Sequence, residues 1–125
     1  MTEGKTIAII GASANREKYG NKAVRAYVKQ GYRVYPVTPN APEVEGIPAF
    51  KSVRDIPGEV EIASLYVPPQ VGVRLLEEIA KKKVREVYVN PGAESDELLE
   101  RANELGLRAI VACSILAIGM TPEEV

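Results

Sequence analysis

Histidine and tryptophan are missing from this 125-residue chain, which has one cysteine and one phenylalanine. Without histidine the chain loses the commonest general acid/base and the commonest metal ligand, and it cannot itself carry a phosphohistidine. No metal site and no catalytic constellation are expected. Cys113 has no second cysteine to pair with, which fits a reducing compartment. Neither sign of charge dominates, with 16 Lys plus Arg against 17 Asp plus Glu, and aromatics make up only 6%. A duplex-binding face or a base-stacking platform is therefore not expected, and nucleic acid is excluded as a partner. Long apolar runs are also lacking. The uncharged stretch Ala109 to Met120 is too short to cross a bilayer and reads as buried core, so no membrane partner is expected. Met1 to Lys5 lacks the apolar stretch of a secretory signal. These features together predict a cytoplasmic protein.

What is present describes an ordinary globular domain. The hydrophobic share is 46% and the charged share 26%, and the length predicts a single domain over residues 1–125. Lys5 to Gly11 is a short run rich in β-branched residues, typical of a parallel strand covered on both faces. Ala23, Val24, Tyr27 and Val28 then repeat at helical spacing up to Gly31. Tyr32 to Thr38 predicts a second strand, with Pro36 arguing against a central position. Residues 40–58 carry three of the nine prolines and predict a surface excursion with at most a helical turn around Ser52 to Ile56. Glu61 to Val67 predicts a third strand. Pro68 and Pro69 open a helix running to about Lys83, and Lys81 to Lys83 read as its solvated end, favoured there by the helix dipole. Arg85 to Asn90 and Leu107 to Ala112 predict two further strands. Between them lies a helix capped by Ser95 and stopped by Gly106. Such alternation predicts an α/β fold: a Rossmann-like, doubly wound, mainly parallel five-stranded sheet with helices on both faces.

In that architecture ligands bind beyond the carboxyl ends of the strands. Four segments meet there: Gly11, Ala12, Ser13, Ala14, Asn15 and Arg16; then Thr38, Pro39 and Asn40; then Val67, Pro68 and Pro69; then Asn90, Pro91, Gly92 and Ala93. Small residues permit close backbone approach, and a helix start offers free N–H groups to a phosphate. Arg16, Lys18 and Lys22 stand nearby, either adding charge or simply solvated. The first loop is not a nicotinamide fingerprint. Ser13 occupies the second glycine position of G-x-G-x-x-G, and Val37-Thr38-Pro39 supplies no acid for a ribose.

Gly11-Ala12-Ser13, the stretch Gly31 to Pro39 (GYRVYPVTP), Glu45 to Pro57 (EGIPAFKSVRDIP) and Val67-Pro68-Pro69 follow one another at spacings that resemble the CoA-binding domain family. That domain also forms the N-terminal part of the succinyl-CoA synthetase α-subunit and of ADP-forming acyl-CoA synthetases. The resemblance covers nearly the whole chain. It implies that Ala12 to Arg16 lie along the phosphates and pantetheine of coenzyme A, with Thr38-Pro39-Asn40 and Val67-Pro68-Pro69 lining the nucleotide and pantetheine side. Asn90-Pro91-Gly92 then matches the family's fourth-strand loop. Two positions depart from the synthetase pattern: Pro91 stands where those subunits carry an acid, and Ala112 rather than Asn precedes Cys113. The domain bearing the phosphorylated histidine has no counterpart here.

The expectation is a stand-alone nucleotide-binding module for coenzyme A or an acyl-CoA, non-catalytic on its own. The alternatives are an NAD(P)-binding small oxidoreductase or dinucleotide-sensing domain, and the CoA-binding subunit of a split acyl-CoA synthetase. A homo-oligomer or a synthetase partner subunit is compatible with either CoA reading. Cys113, between Val111-Ala112 and Ile115-Leu116, reads as an inert buried thiol rather than a reactive one. Tyr19, Tyr66 and Tyr88 read as packing residues before adenine-stacking ones. Ser13 has no evident base to activate it.

Overall fold

The computed structural model describes residues 5–125, so the reading of Met1 to Gly4 lies outside the described residues. In chain order the elements are β1 (Thr6–Ile10), α1 (Tyr19–Lys29), β2 (Arg33–Val37), β3 (Glu43–Val44), β4 (Ile47–Pro48), β5 (Ile62–Leu65), α2 (Pro69–Lys81), β6 (Glu86–Val89), α3 (Asp96–Glu104) and β7 (Arg108–Val111). Three short 3-10 turns, at Val53–Asp55, Leu116–Ile118 and Pro122–Glu124, complete them. Five strands form one parallel sheet in the order β2-β1-β5-β6-β7. The fold is the α/β, Rossmann-like one that the alternation of strand and helix predicts.

That order fixes the layers. From β1 the chain moves one way to β2 and later the other way through β5, β6 and β7, so right-handed crossovers place α1 on one face and α2 with α3 on the other. Side chains sort accordingly with period two. Ile7 and Ile9 of β1 pack with Ala23, Val24 and Tyr27 of α1. Ala8 and Ile10, together with Ala63, Leu65, Val87 and Val89, pack with Leu76 and Ile79 of α2 and Leu98 of α3. Leu76, Ile79 and Leu98 are fully buried, each contributing about 1.5–3 kcal/mol of burial free energy. Ser95 caps α3 by accepting a hydrogen bond from Leu98 N at 3.1 Å.

Pro36 is accommodated because β2 is the edge strand. Its carbonyl accepts from Phe50 N at 2.9 Å, and Thr38 N donates to Phe50 O at 2.8 Å. The missing N–H of Pro36 therefore faces away from β1, where no ladder bond to the main sheet depends on it.

Three expectations need correction. Residues 40–58 are not merely a surface excursion. β3 and β4 pair as a short hairpin, Phe50 bridges Val37, and Val44, Val53 and Ile56 are buried, because this segment covers the otherwise open edge of β2. The expected helical turn is present at Val53–Asp55. The Ala109 to Met120 run is core only in part. Ser114, Ile115 and Met120 are buried, but Val111 and Leu116 are 54% and 57% exposed, since β7 is the other edge strand and the following turn directs Leu116 outward. Finally, α2 ends at Lys81, and the basic run is not wholly solvated: Lys82 Nζ donates to Ile56 O, tying the helix end to the covering segment.

Candidate functional site

The strand order reverses between β1 and β5, and the carboxyl ends of these strands open into a cleft of about 990 Å³. Its floor starts at Gly11. With φ at +93° and an imagined Cβ only 2.4 Å from Tyr66 O, this position admits no other residue without displacement of the backbone. The chain then turns sharply, with Gly11 N and Ala12 N both donating to Val37 O at 3.0 and 3.3 Å. Gly20, in the first turn of α1, approaches the same loop so closely that a Cβ would lie 2.3 Å from Gly11 O.

Local side chains hold the loop open toward the cleft. Ser13 Oγ accepts from Asn15 N at 3.0 Å, and Asn15 Oδ1 accepts from Glu17 N at 3.0 Å. Buried Asn21 donates to Ser13 O at 2.9 Å and to Glu45 Oε2 at 3.1 Å. Among the described residues, the backbone N–H groups of Ser13 and Ala14 have no acceptor in the protein. Two helix starts meet the same cleft, through Lys18, Tyr19 and Gly20 of α1 and through Pro68 and Val71 of α2. Neither has an acidic residue in its first turn or a side-chain cap, whereas α3 has Ser95, Asp96 and Glu97. The positive ends of α1 and α2 thus have no acidic side chain of their own helix beside them. Lys18 and Lys51 are the cations on the wall, and Glu78 is its one carboxylate among the described residues.

The structure brings together most of the residues that the sequence singles out. Gly11, Ala12, Ser13, Ala14 and Asn15 line the cleft, as do Thr38, Pro39 and Asn40. Val67, Pro68, Asn90 and Gly92 complete the set. Arg16, Lys22 and Pro69 are not on its wall. Arg16 points to Glu45, 3.8 Å away, and lines a separate shallow groove with Arg25 and Lys29. The Lys22 ammonium lies 5.5 Å from the centre of the Tyr19 ring. Pro69 is the first residue of α2, one place beyond the lining residue Pro68.

Asn90 and Gly92 line the wall with their polar groups already engaged. Asn90 Nδ2 donates to Ser64 Oγ and Leu65 O, both at 2.8 Å, and its Oδ1 accepts from Ser114 N at 2.8 Å. Gly92 N donates to the Glu94 carboxylate at 3.2 and 3.3 Å. The hydroxyl of Tyr66, also on the wall, bonds Ser114 Oγ at 2.9 Å, and burial pushes its pKa up to about 12 against the lowering effect of that bond. Cys113 is half-buried rather than enclosed. Tyr19 is 56% exposed and so contributes little to core packing.

Sequence reasoning missed the wall opposite the first loop. Lys51, Ser52 and Val53 come from the covering segment, and Val71, Leu75 and Glu78 from one stripe of α2. Spacing at i, i+4 and i+7 marks that stripe as a single face. Nothing in the sequence says that it stands against Ser52, a contact only the fold creates.

A five-stranded parallel sheet with helices on both faces defines a Rossmann-like α/β domain, and the chain belongs to the CoA-binding domain family, whose model matches residues 5–119. It is 36% identical over 115 residues to the α-subunit of ADP-forming acetate–CoA ligase II from Pyrococcus furiosus, a match covering 83% of this chain and 25% of that subunit. The α-subunit of ligase I from the same organism is 32% identical, with 94% and 29% covered. This chain thus spans less than a third of the length of those two curated relatives. Among solved structures, a conserved hypothetical protein from Pyrococcus furiosus superposes with a TM-score of 0.82 at 32% identity, covering 90% of this chain and 98% of that one. A dinucleotide-forming acetyl-coenzyme A synthetase from Ca. Korarchaeum cryptofilum superposes with a TM-score of 0.77 at 28% identity, covering 90% and 26%. No helix among the described residues is long and apolar enough to cross a membrane.

Proposed function

We propose that this chain holds coenzyme A or an acyl-CoA in the cleft at the carboxyl edge of the sheet and catalyses no reaction by itself. The observation that carries the reading is the pair of acceptor-free amides, Ser13 and Ala14, between the bare N-termini of α1 and α2. A diphosphate satisfies such donors, and Lys18 adds a charge beside them. Thr38, Pro39 and Asn40 on one side and Val67 and Pro68 on the other give the less polar parts of the ligand their walls. A volume near 990 Å³ stands at the upper end of the roughly 300–1,000 Å³ usual for small-ligand sites, as a ligand of this length requires.

Catalysis is not part of the reading because the wall offers no activated group. The Ser13 hydroxyl oxygen is committed to Asn15 N, and the one carboxylate on the wall among the described residues, Glu78, is bonded to Ser52 across the cleft. A cytoplasmic setting fits the lone Cys113.

A thermal-shift panel of CoA, acetyl-CoA, NAD, NADP and ATP tests this. A ligand at about 100 times its Kd stabilises the fold by about 2.7 kcal/mol, a clear rise in Tm. A rise with either CoA species supports the reading. A rise with NAD or NADP alone transfers it to a dinucleotide-binding oxidoreductase or sensor, although Thr38 and Pro39 leave the end of β2 without the acid a ribose would need.

A second reading follows from the partial coverage of the ligase α-subunits. In it, the chain supplies the CoA domain to a separately encoded synthetase chain that carries the phosphorylated histidine. Co-purification with such a chain supports it, and a lone monomer or homo-oligomer at native expression argues against it.

A further inference from the structure

We propose that Glu78 selects adenine in the cleft by accepting a hydrogen bond from the base's 6-amino group. The inference rests on the CoA reading above and adds what that reading leaves open, the part of the wall that recognises the base. The cleft has two lysines, Lys18 at the first loop and Lys51 next to Ser52, and among the described residues its one carboxylate is Glu78. The first-loop end holds Lys18, the free Ser13 and Ala14 amides and the starts of α1 and α2. Glu78 lies seven residues along α2 from Val71, about 10 Å at 1.5 Å per residue. A carboxylate repels phosphate, so the anionic part of the ligand belongs at the loop end and a hydrogen-bond donor belongs at Glu78. Ribose and purine together span the intervening distance.

The walls between the two ends suit a flat aromatic base. Val71 and Leu75 come from α2 and Val53 from the facing turn, and all three line the cleft. Glu78 itself is held in place. Ser52 Oγ donates to Glu78 Oε1 at 2.5 Å, Arg54 Nε lies 3.7 Å from the same oxygen, and the side chain is only 29% exposed. Both contacts are made to Oε1, which leaves Oε2 to accept from a ligand. Adenine is the purine face that offers an N–H at its 6-position, and CoA carries adenine.

The test compares CoA with its analogue in which unsubstituted purine replaces adenine, using calorimetric titration of the wild-type protein and of Glu78→Met. The expected result is binding of CoA at least tenfold tighter than the purine analogue by wild type, with Glu78→Met binding both weakly and equally. Equal wild-type affinities for the two ligands overturn the inference and leave the CoA reading standing. Absence of CoA binding by the wild type overturns both. The wild-type comparison decides the matter even if Glu78→Met does not fold, and Ser52→Ala, which loosens the carboxylate, is expected to narrow the wild-type ratio.

Discussion

Asn90 Oδ1 accepts the backbone N–H of Ser114 at 2.8 Å, and through this bond the loop after β6 is locked to the segment that follows β7. Both residues are buried, at 3% and 0% exposure. Ser114 also bonds Ser64 Oγ at 2.8 Å and accepts from Tyr27 OH at 2.8 Å through its carbonyl, so α1, β5, β6 and the C-terminal segment converge on one residue. Asn90 lines the cleft, and its side-chain amide is also engaged inside the protein by these bonds.

Replacement of Asn90 by Leu is therefore expected to cost stability. It leaves Ser114 N and Leu65 O without their Asn90 partner, at about 1–3 kcal/mol for each unsatisfied buried group, or about 2–6 kcal/mol together. Urea denaturation reads the loss. A change below about 1 kcal/mol would show that the network is dispensable.

Gly20→Ala sets two effects against each other. Alanine gains about 1 kcal/mol of helix propensity over glycine, but its Cβ would meet Gly11 O at 2.3 Å, and overpacking of this kind costs about 1–3 kcal/mol. Because the obstacle is backbone that itself forms the cleft floor, the clash is expected to win. The variant should be less stable, by up to about 2 kcal/mol, and weaker for CoA. A more stable variant with full affinity would contradict the close approach.

Ser13→Asp puts a negative charge beside the acceptor-free amides. Its carboxylate can still accept from Asn15 N, so the fold should persist while CoA affinity falls at least tenfold. Lys18→Gln should weaken binding several-fold and flatten its salt dependence, whereas Arg33→Gln, at the amino end of β2, should change neither. Isothermal titration at two salt concentrations separates these. Unchanged affinity in Ser13→Asp would place the anion elsewhere.

Alkaline pH should destabilise the protein through its buried tyrosines. Burial raises Tyr66 from 10.0 to about 12 and pushes Tyr27 higher still. A phenol whose folded pKa exceeds its unfolded one contributes stability that is complete below pH 10 and is lost as pH climbs toward 12. Urea midpoints should fall across that window, and Tyr66→Phe should show a shallower fall. Identical slopes would remove Tyr66 from the cause.

How much of this could be read from residues alone is uneven. The first parallel strand was legible because β1 is apolar from Ile7 to Ile10, and α3 because Ser95 and Gly106 punctuate it. Most of the cleft's first loop was legible as well, since small residues between a strand and a helix have few other uses. The covering segment was not. Its prolines and acidic residues resemble any exposed linker, and only the unpaired edge of β2 explains why Phe50 and Val53 pack there. Arg16 and Lys22 stand close to the loop in sequence, but direction rather than proximity decides where a long side chain goes, and theirs lead to Glu45 and Tyr19.

The sequence by itself determined the layers. Period-two and period-3.6 patterns, together with the right-handed crossover, leave one sheet with α1 on one side and α2 and α3 on the other. It also marked a tight turn after β1, where Gly11 takes a positive φ. Only the tertiary structure decided which polar groups remain free in the cleft. Asn90 is consumed by Ser114, Gly92 by Glu94, and Ser52 with Glu78 forms a wall from residues 26 apart. Hydrogen-bonding capacity is local to each residue, but whether it is spent depends on neighbours that folding alone brings together.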